Sequence, residues 1–167
     1  MIVVCSLREA QNQISGHGAK RAVTILGPGT ELPRFDGVDP DDHLRLTFHD
    51  IAAASPGLNP PQVRDMVSLL TFLRQWDKQQ PMVIHCWAGI SRSTAAGYIA
   101  TCLLRPKADE FELAGELREA SPSASPNPML IALADEALGR DGRMRQAIQS
   151  IGRGQDAFEG KPFKLKI

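Results

Sequence analysis

Ile2-Val3-Val4-Cys5 is an unbroken apolar run, the pattern of a short strand buried on both faces. Ser6 follows, with Glu9 three residues on. That spacing predicts a capping box and a helix through about Ile14, stopped by Gly16 and Gly18. Ala22 to Leu26 reads as a second strand, ended by Gly27-Pro28-Gly29. A strand, a helix and a strand in this order predict a parallel crossover unit. Residues 27–43 are rich in Gly, Pro and Asp and read as loop. Leu44, Leu46 and Phe48 then alternate with Arg45, Thr47 and His49, which predicts a third strand.

Beyond the turn signals Ser55-Pro56-Gly57 and Asn59-Pro60-Pro61, the period changes to that of a helix. Val63, Met66, Val67, Leu70 and Leu73 predict an amphipathic helix to about Lys78. Pro81 resets the chain, and Met82 to His85 reads as a fourth strand. Ser93 to Leu104 reads as the next helix, carrying Ala95, Ala96, Ile99 and Leu103 towards the core. Further helices are expected near 109–120, 127–138 and 143–151. The last segment sets Phe163, Leu165 and Ile167 against Lys164 and Lys166, which fits an edge strand or a disordered tail from about 155. The sum is a three-layer α/β sandwich: a central, mostly parallel sheet of four to five strands flanked by helices. No repeat or linker divides the chain, so 1–167 is read as a single domain.

Composition narrows the function classes. Formal net charge is zero over 167 residues, which removes any global electrostatic case for nucleic acid or an anionic membrane as partner. No stretch approaches the roughly 20 apolar residues of a membrane span, and the apolar run at Ile2–Cys5 is too short for a signal-peptide core. A cytoplasmic protein is therefore expected. Cys5, Cys86 and Cys102 are an odd, sparse set that argues against a disulfide framework. His17, His43, His49 and His85 show no zinc spacing with them.

The stretch with chemistry in it is His85-Cys86-Trp87-Ala88-Gly89-Ile90-Ser91-Arg92-Ser93-Thr94. A cysteine ends an apolar strand, and an arginine six positions on opens a helix. A tight strand–loop–helix turn aims successive backbone N–H groups at one point, and the helix N-terminus adds positive potential. Gly89 lets the loop turn. Arg92 can hold two phosphate oxygens in a bidentate fork. A field that holds a phosphate also stabilises a thiolate, so Cys86 is expected as an ionised nucleophile. Cys5 has no such partner, because position 11 is Gln.

HCWAGISRST resembles the signature loop HCxxGxxRS/T of the protein tyrosine phosphatase superfamily, and the chain's length resembles the compact dual-specificity branch. Leu44–Asp50 is similar to the family's strand leading into its general-acid loop. Ala124-Ser125-Pro126-Asn127, followed by an apolar helix, is similar to a late family segment placed beside the signature loop. The resemblance implies a cysteine-dependent phosphomonoester hydrolase acting on phosphotyrosine, with phosphoserine and phosphothreonine as further substrates, through a cysteinyl-phosphate. Cys86, Arg92, Asp50 and Ser93 would be the catalytic residues, Ser93 easing departure of the sulfur. Trp87, Ala88, Gly89, Ile90, Ser91 and Arg92 would hold the substrate, with His85 and Asn127 in support. No metal or cofactor is called for, because the loop itself supplies the charge stabilisation. The partner is a phosphorylated protein or a small phosphomonoester. The alternatives are a phosphatase for a non-protein substrate, such as a phosphoinositide or nucleotide, and a catalytically silent phospho-binding module.

Geometry selects the acid. In open parallel sheets the site lies beyond the carboxyl ends of the strands. Asp50 follows strand 44–48 and should emerge on the edge that Cys86 marks. Asp36, Asp39, Asp41 and Asp42 precede that strand, whose five residues span roughly 16 Å. His49 is the rival donor. Several side chains keep bland readings beside functional ones. His85 fits a satisfied core histidine or a brace for the loop. Trp87 fits the pocket mouth or a place beneath it. Asn127 fits a simple helix N-cap. Cys5 and Cys102 read as core, and Arg140, Arg143, Arg145 and Arg153 as a solvated basic face.

Overall fold

The structure is a computed structural model describing residues 1–167. Five strands form one sheet: β1 (Ile2–Ser6), β2 (Arg21–Leu26), β3 (His43–Thr47), β4 (Met82–Cys86) and β5 (Phe163–Leu165). Their spatial order is β3-β2-β4-β1-β5. All neighbours run parallel except β5, which pairs antiparallel with β1 and closes one edge. The alternating C-terminal segment is thus an edge strand. The α/β sandwich read from the sequence is the observed fold.

The six helices divide unequally between the two faces. α1 (Leu7–His17) covers one face, where Val3, Cys5, Ala22 and Val83 meet Ala10, Ile14 and Phe35. The other face carries α2 (Val63–Arg74), α3 (Arg92–Leu104), α4 (Glu110–Ala120), α5 (Pro128–Ala137) and α6 (Arg143–Ser150) over Ile2, Val4, Val23, Ile25, Ile84 and Cys86. Strand side chains alternate between faces, so adjacent β4 residues look opposite ways. Cys86 faces α3, and His85 faces α1. In register with β4, Cys5 lies opposite His85 and Ser6 opposite Cys86. Cys5 therefore projects away from Cys86, across the sheet. α3 is buried from Arg92 to Cys102, because it runs between the sheet and the outer helices.

Four local expectations are corrected. α1 begins after Ser6, yet Ser6 makes no side-chain cap; its hydroxyl donates to Glu159, far along the chain. α1 also runs through Gly16 to His17 and stops at Gly18, whose φ of 62° is the left-handed region suited to glycine. α2 ends at Arg74 instead of reaching Lys78. Its buried residues are Met66, Leu69, Leu70, Phe72 and Leu73, while Val63 and Val67 are exposed. The apolar stripe is rotated because two valines on the first turns fall outside the packed face. α2 does carry a capping box, built by Gln62 and Asp65. No helix is long and apolar enough to cross a membrane.

Candidate active site

The parallel topology brings the carboxyl ends of β1, β3 and β4 to one edge, and the residues singled out in the sequence meet there. β4 delivers Cys86, the loop 87–91 turns, and α3 starts at Arg92. The turn needs Gly89, with φ of 73°. A Cβ there would stand 2.7 Å from the backbone of Cys5 and Ser6, so no other residue fits.

The loop's backbone polarity is its most informative feature. Leu7 N–H donates to the Trp87 carbonyl at 3.2 Å, and Gly160 N–H to that of Ala88 at 2.8 Å. Ser125 N–H donates to Ile90 O at 2.9 Å, and Asn127 N–H to Ser91 O at 3.3 Å. These carbonyls are drawn outward, into the protein. In a trans peptide the next N–H points the opposite way, and every peptide bond here is trans. The amides of Ala88, Gly89, Ser91 and Arg92 therefore turn inward, and those of residues 87–91 donate to no protein acceptor. α3 has no side-chain cap either, because the Ser91 hydroxyl donates to Asp50 Oδ1 at 2.7 Å. A ring of free N–H groups at an uncapped helix start is a cradle for an anion.

The side chains fit this cradle. Cys86 Sγ lies 3.1 Å from Ser93 Oγ. The Arg92 guanidinium is buried; one terminal nitrogen donates to the Phe48 carbonyl at 3.1 Å. Its Nε is buried without a hydrogen-bond acceptor, with Asp50 Oδ2 standing 3.5 Å away. Asp50 Oδ1 also accepts from Asn127 Nδ2 at 2.8 Å. The same Nδ2 donates to Ile51 O at 3.0 Å, while Asn127 Oδ1 caps α5 through Met129 and Leu130 N–H. Asp50 thus reaches the cradle, as edge geometry predicted. Asp42 pairs instead with Arg21 at the start of β2, and Asp39 accepts from Asp41 N–H. His49 is engaged elsewhere, its Nδ1 accepting from Asn59 N–H at 2.8 Å.

The sequence profile described as protein-tyrosine phosphatase matches residues 55–126, which contain the whole of this loop. Solved structures agree in fold. Human DUSP28 superposes with a TM-score of 0.62 at 17% identity, covering 83% of this chain and 88% of its own. The human tyrosine phosphatase-like serine/threonine/tyrosine-interacting protein gives 0.63 at 17%, covering 84% and 92%. PTPMT1 gives 0.60 at 16%, covering 88% and 94%. A search of curated protein sequences finds no match. Over residues 55–126 the chain is similar to the protein-tyrosine phosphatase family, and it shares the fold of these solved structures.

Behind this loop lies a polar chain that sequence reasoning missed. Thr24 Oγ1 sits 2.6 Å from His85 Nε2 and 2.7 Å from His43 Nε2, all three buried. One hydroxyl proton cannot serve two acceptors. One consistent arrangement has His43 donating to Thr24 and Thr24 donating to His85. Burial pushes both histidines down to about 4, Arg45 and His85 adding charge repulsion at His43. His85 is thus a buried, neutral imidazole beneath the strand that carries Cys86. A lone threonine inside the apolar strand Arg21–Leu26 was the available signal.

Burial raises the Cys5 thiol well above its ordinary range and pushes Cys102 up to about 12, which leaves both as inert core thiols. Trp87 is 60% exposed and so lines the mouth instead of packing beneath it. Of the basic C-terminal cluster, Arg140 and Arg143 pair with Glu110 and Arg153 with Asp156, while Arg145 makes no ion pair. Gly160 also touches the loop and Glu159 the start of α1, contacts between distant positions that no local spacing announces.

Proposed function

We propose that the chain is a phosphatase that hydrolyses phosphotyrosine in proteins, with phosphoserine and phosphothreonine as further substrates, through a cysteinyl-phosphate on Cys86. The observation that carries this reading is the outward pull on the loop carbonyls, which leaves the amides to hold three phosphoryl oxygens above Cys86 Sγ. Arg92 adds the charged fork. Its Nε makes no hydrogen bond and stands 3.5 Å from Asp50 Oδ2, which sets the cation beside the proposed acid.

In the first step the Cys86 thiolate attacks phosphorus. The S–P bond forms, the bond to the leaving oxygen breaks, and Asp50 gives that oxygen its proton. In the second step water attacks phosphorus and passes a proton to Asp50. The S–P bond breaks, and the Ser93 hydroxyl, 3.1 Å from the sulfur, stabilises the departing thiolate. Asn127 and Ser91 hold Asp50 at the rim between steps. No cation stands among Trp87–Ser91, so a multiply charged inositol head group gains little from the loop.

The test is turnover of p-nitrophenyl phosphate and a phosphotyrosine peptide by wild type and Cys86→Ser. The expected result is activity in the first, none in the second, and vanadate binding in both. Appreciable turnover by Cys86→Ser would overturn the mechanism. Faster cleavage of phosphoinositides than of phosphotyrosine peptides would overturn the substrate class.

A further inference from the structure

Next to the cradle, Leu7, Arg8, Trp87, Ala88, Phe158 and Glu159 enclose a cavity of about 300 Å³. Trp87 directly follows Cys86, so this cavity and the cradle share a wall. Phe158 is 97% exposed and lines the same cavity as Trp87, 60% exposed, so the two rings form one small exposed apolar patch. Phe158 does not belong to a frayed end. Its neighbour Glu159 accepts from Ser6 and pairs with Arg8 at 2.7 Å. Gly160 N–H donates to Ala88 O at 2.8 Å, and a Cβ on Gly160 would stand 2.8 Å from Gly89 O. The chain therefore passes close over the signature loop and is pinned on the C-terminal side of Phe158. Trp87 and Phe158 supply two aromatic surfaces at the rim. Arg8 and Glu159 neutralise one another, so the wall offers no net charge to an anionic head group.

We propose that this cavity is a specificity subsite that takes an apolar side chain, best an aromatic one, flanking the phosphorylated residue of a protein substrate. The proposal rests on the phosphoprotein reading above. The phosphorylated residue itself stands over Cys86. A residue one or two positions along an extended peptide lies roughly 3.4 to 7 Å away, within reach of a cavity walled by the residue next to the nucleophile. Aromatic rings prefer offset or edge contacts with one another, and large aromatics carry much of the binding energy at protein interfaces.

The experiment compares kcat/KM on phosphotyrosine peptides identical except for Phe or Ser at each position within two residues of the phosphotyrosine. Wild type is expected to prefer Phe by about 5- to 10-fold at one of these positions, the size of a buried aromatic contact. In Phe158→Ala that ratio should fall towards one, and Phe158→Trp should restore it. Using the ratio within each variant removes differences in folded fraction or intrinsic turnover. A wild-type ratio near one at every position, in an enzyme that cleaves the peptides, would overturn the subsite and leave the phosphatase reading standing. Failure of wild type to cleave any phosphopeptide would overturn that underlying reading, and the subsite with it. A preference for phosphorylated lipid in phosphatidylcholine vesicles that Phe158→Ala abolishes would assign the cavity to an acyl chain and overturn the peptide proposal.

Discussion

Two loops meet over Cys86, and they are held in different ways. The signature loop, 87–91, is fastened through its backbone by α1, by the 125–127 segment and by the C-terminal strap at Gly160. The loop beyond Asp50 is exposed from Ala52 to Asn59. Much of its bonding is internal, such as Leu58 N–H to Ser55 O and His49 N–H to Asn59 O. Its ties to the cradle are side-chain contacts: Asn127 and Ser91 on Asp50, Asn127 on Ile51 O, and the longer approach of Arg92. The contrast suits two tasks. Groups that stabilise developing charge gain most from being fixed in advance. A group that donates and then recovers a proton must change partners in each cycle, and small exposed residues such as Ala52-Ala53-Ala54 permit that movement.

The largest effect expected outside Cys86 falls on the exposed side. Asp50→Asn should lower turnover of ordinary aryl and alkyl phosphates by roughly 10²- to 10⁴-fold. The loss should shrink for esters with very good leaving groups, which need little protonation. Equal losses across leaving groups in a kcat series would show that Asp50 is not the acid.

On the rigid side, Arg92→Lys should cost about 10²- to 10³-fold, because an ammonium cannot reproduce a planar fork while also reaching the Phe48 carbonyl. The loss should be similar for good and poor leaving groups, in contrast to Asp50→Asn. A leaving-group dependence like that of Asp50→Asn would erase the distinction between the two loops.

Asn127 joins the two sides, and Asn127→Asp separates its tasks. Aspartate still caps α5 through its oxygen, but it removes the Nδ2 donor and places a like charge against Asp50. Activity should fall about 10-fold through the loss of acid catalysis, with the melting temperature within a few degrees of wild type. A stable variant with full activity would reduce Asn127 to a helix cap.

The smallest effect on turnover, though not on stability, belongs to the buried histidines. His43 and His85 titrate near 4 in the folded chain, against an ordinary 6.5. Between these values the unfolded chain binds more protons, so stability is complete above about 6.5 and is lost as pH falls towards 4. The loss at pH 5 should be about 1–2 kcal/mol for each histidine. Urea denaturation at pH 7 and pH 5 measures it. His85→Gln should show a smaller difference than wild type, and an unchanged one would exclude His85 as a source.

The strand–loop–helix turn was legible in the sequence because Cys86, Gly89 and Arg92 fall in one short stretch, where spacing is visible. The position of Asp50 beside that turn was legible because strand direction puts the ends of β3 and β4 on one edge. Period alone could not show which side of α2 is buried, since Val63 and Val67 are as apolar as the residues beneath them. Ser6 and Glu9 have the spacing of a capping box, but the hydroxyl finds Glu159 once β5 pairs with β1. The hold of Gly160 on Ala88 links positions 72 residues apart, and no local pattern encodes it.

The most direct test of the account is to find the phosphoryl group on the protein. Ser93→Ala should slow breakdown of the intermediate, because the sulfur loses its hydroxyl partner. Acid quenching of this variant during turnover of an aryl phosphate, followed by peptide mass mapping, should find one phosphate on the peptide containing Cys86. That adduct should be absent when Cys86 is replaced by serine and turnover stops. A phosphoryl group on another residue, or full turnover by Cys86→Ser, would contradict the account.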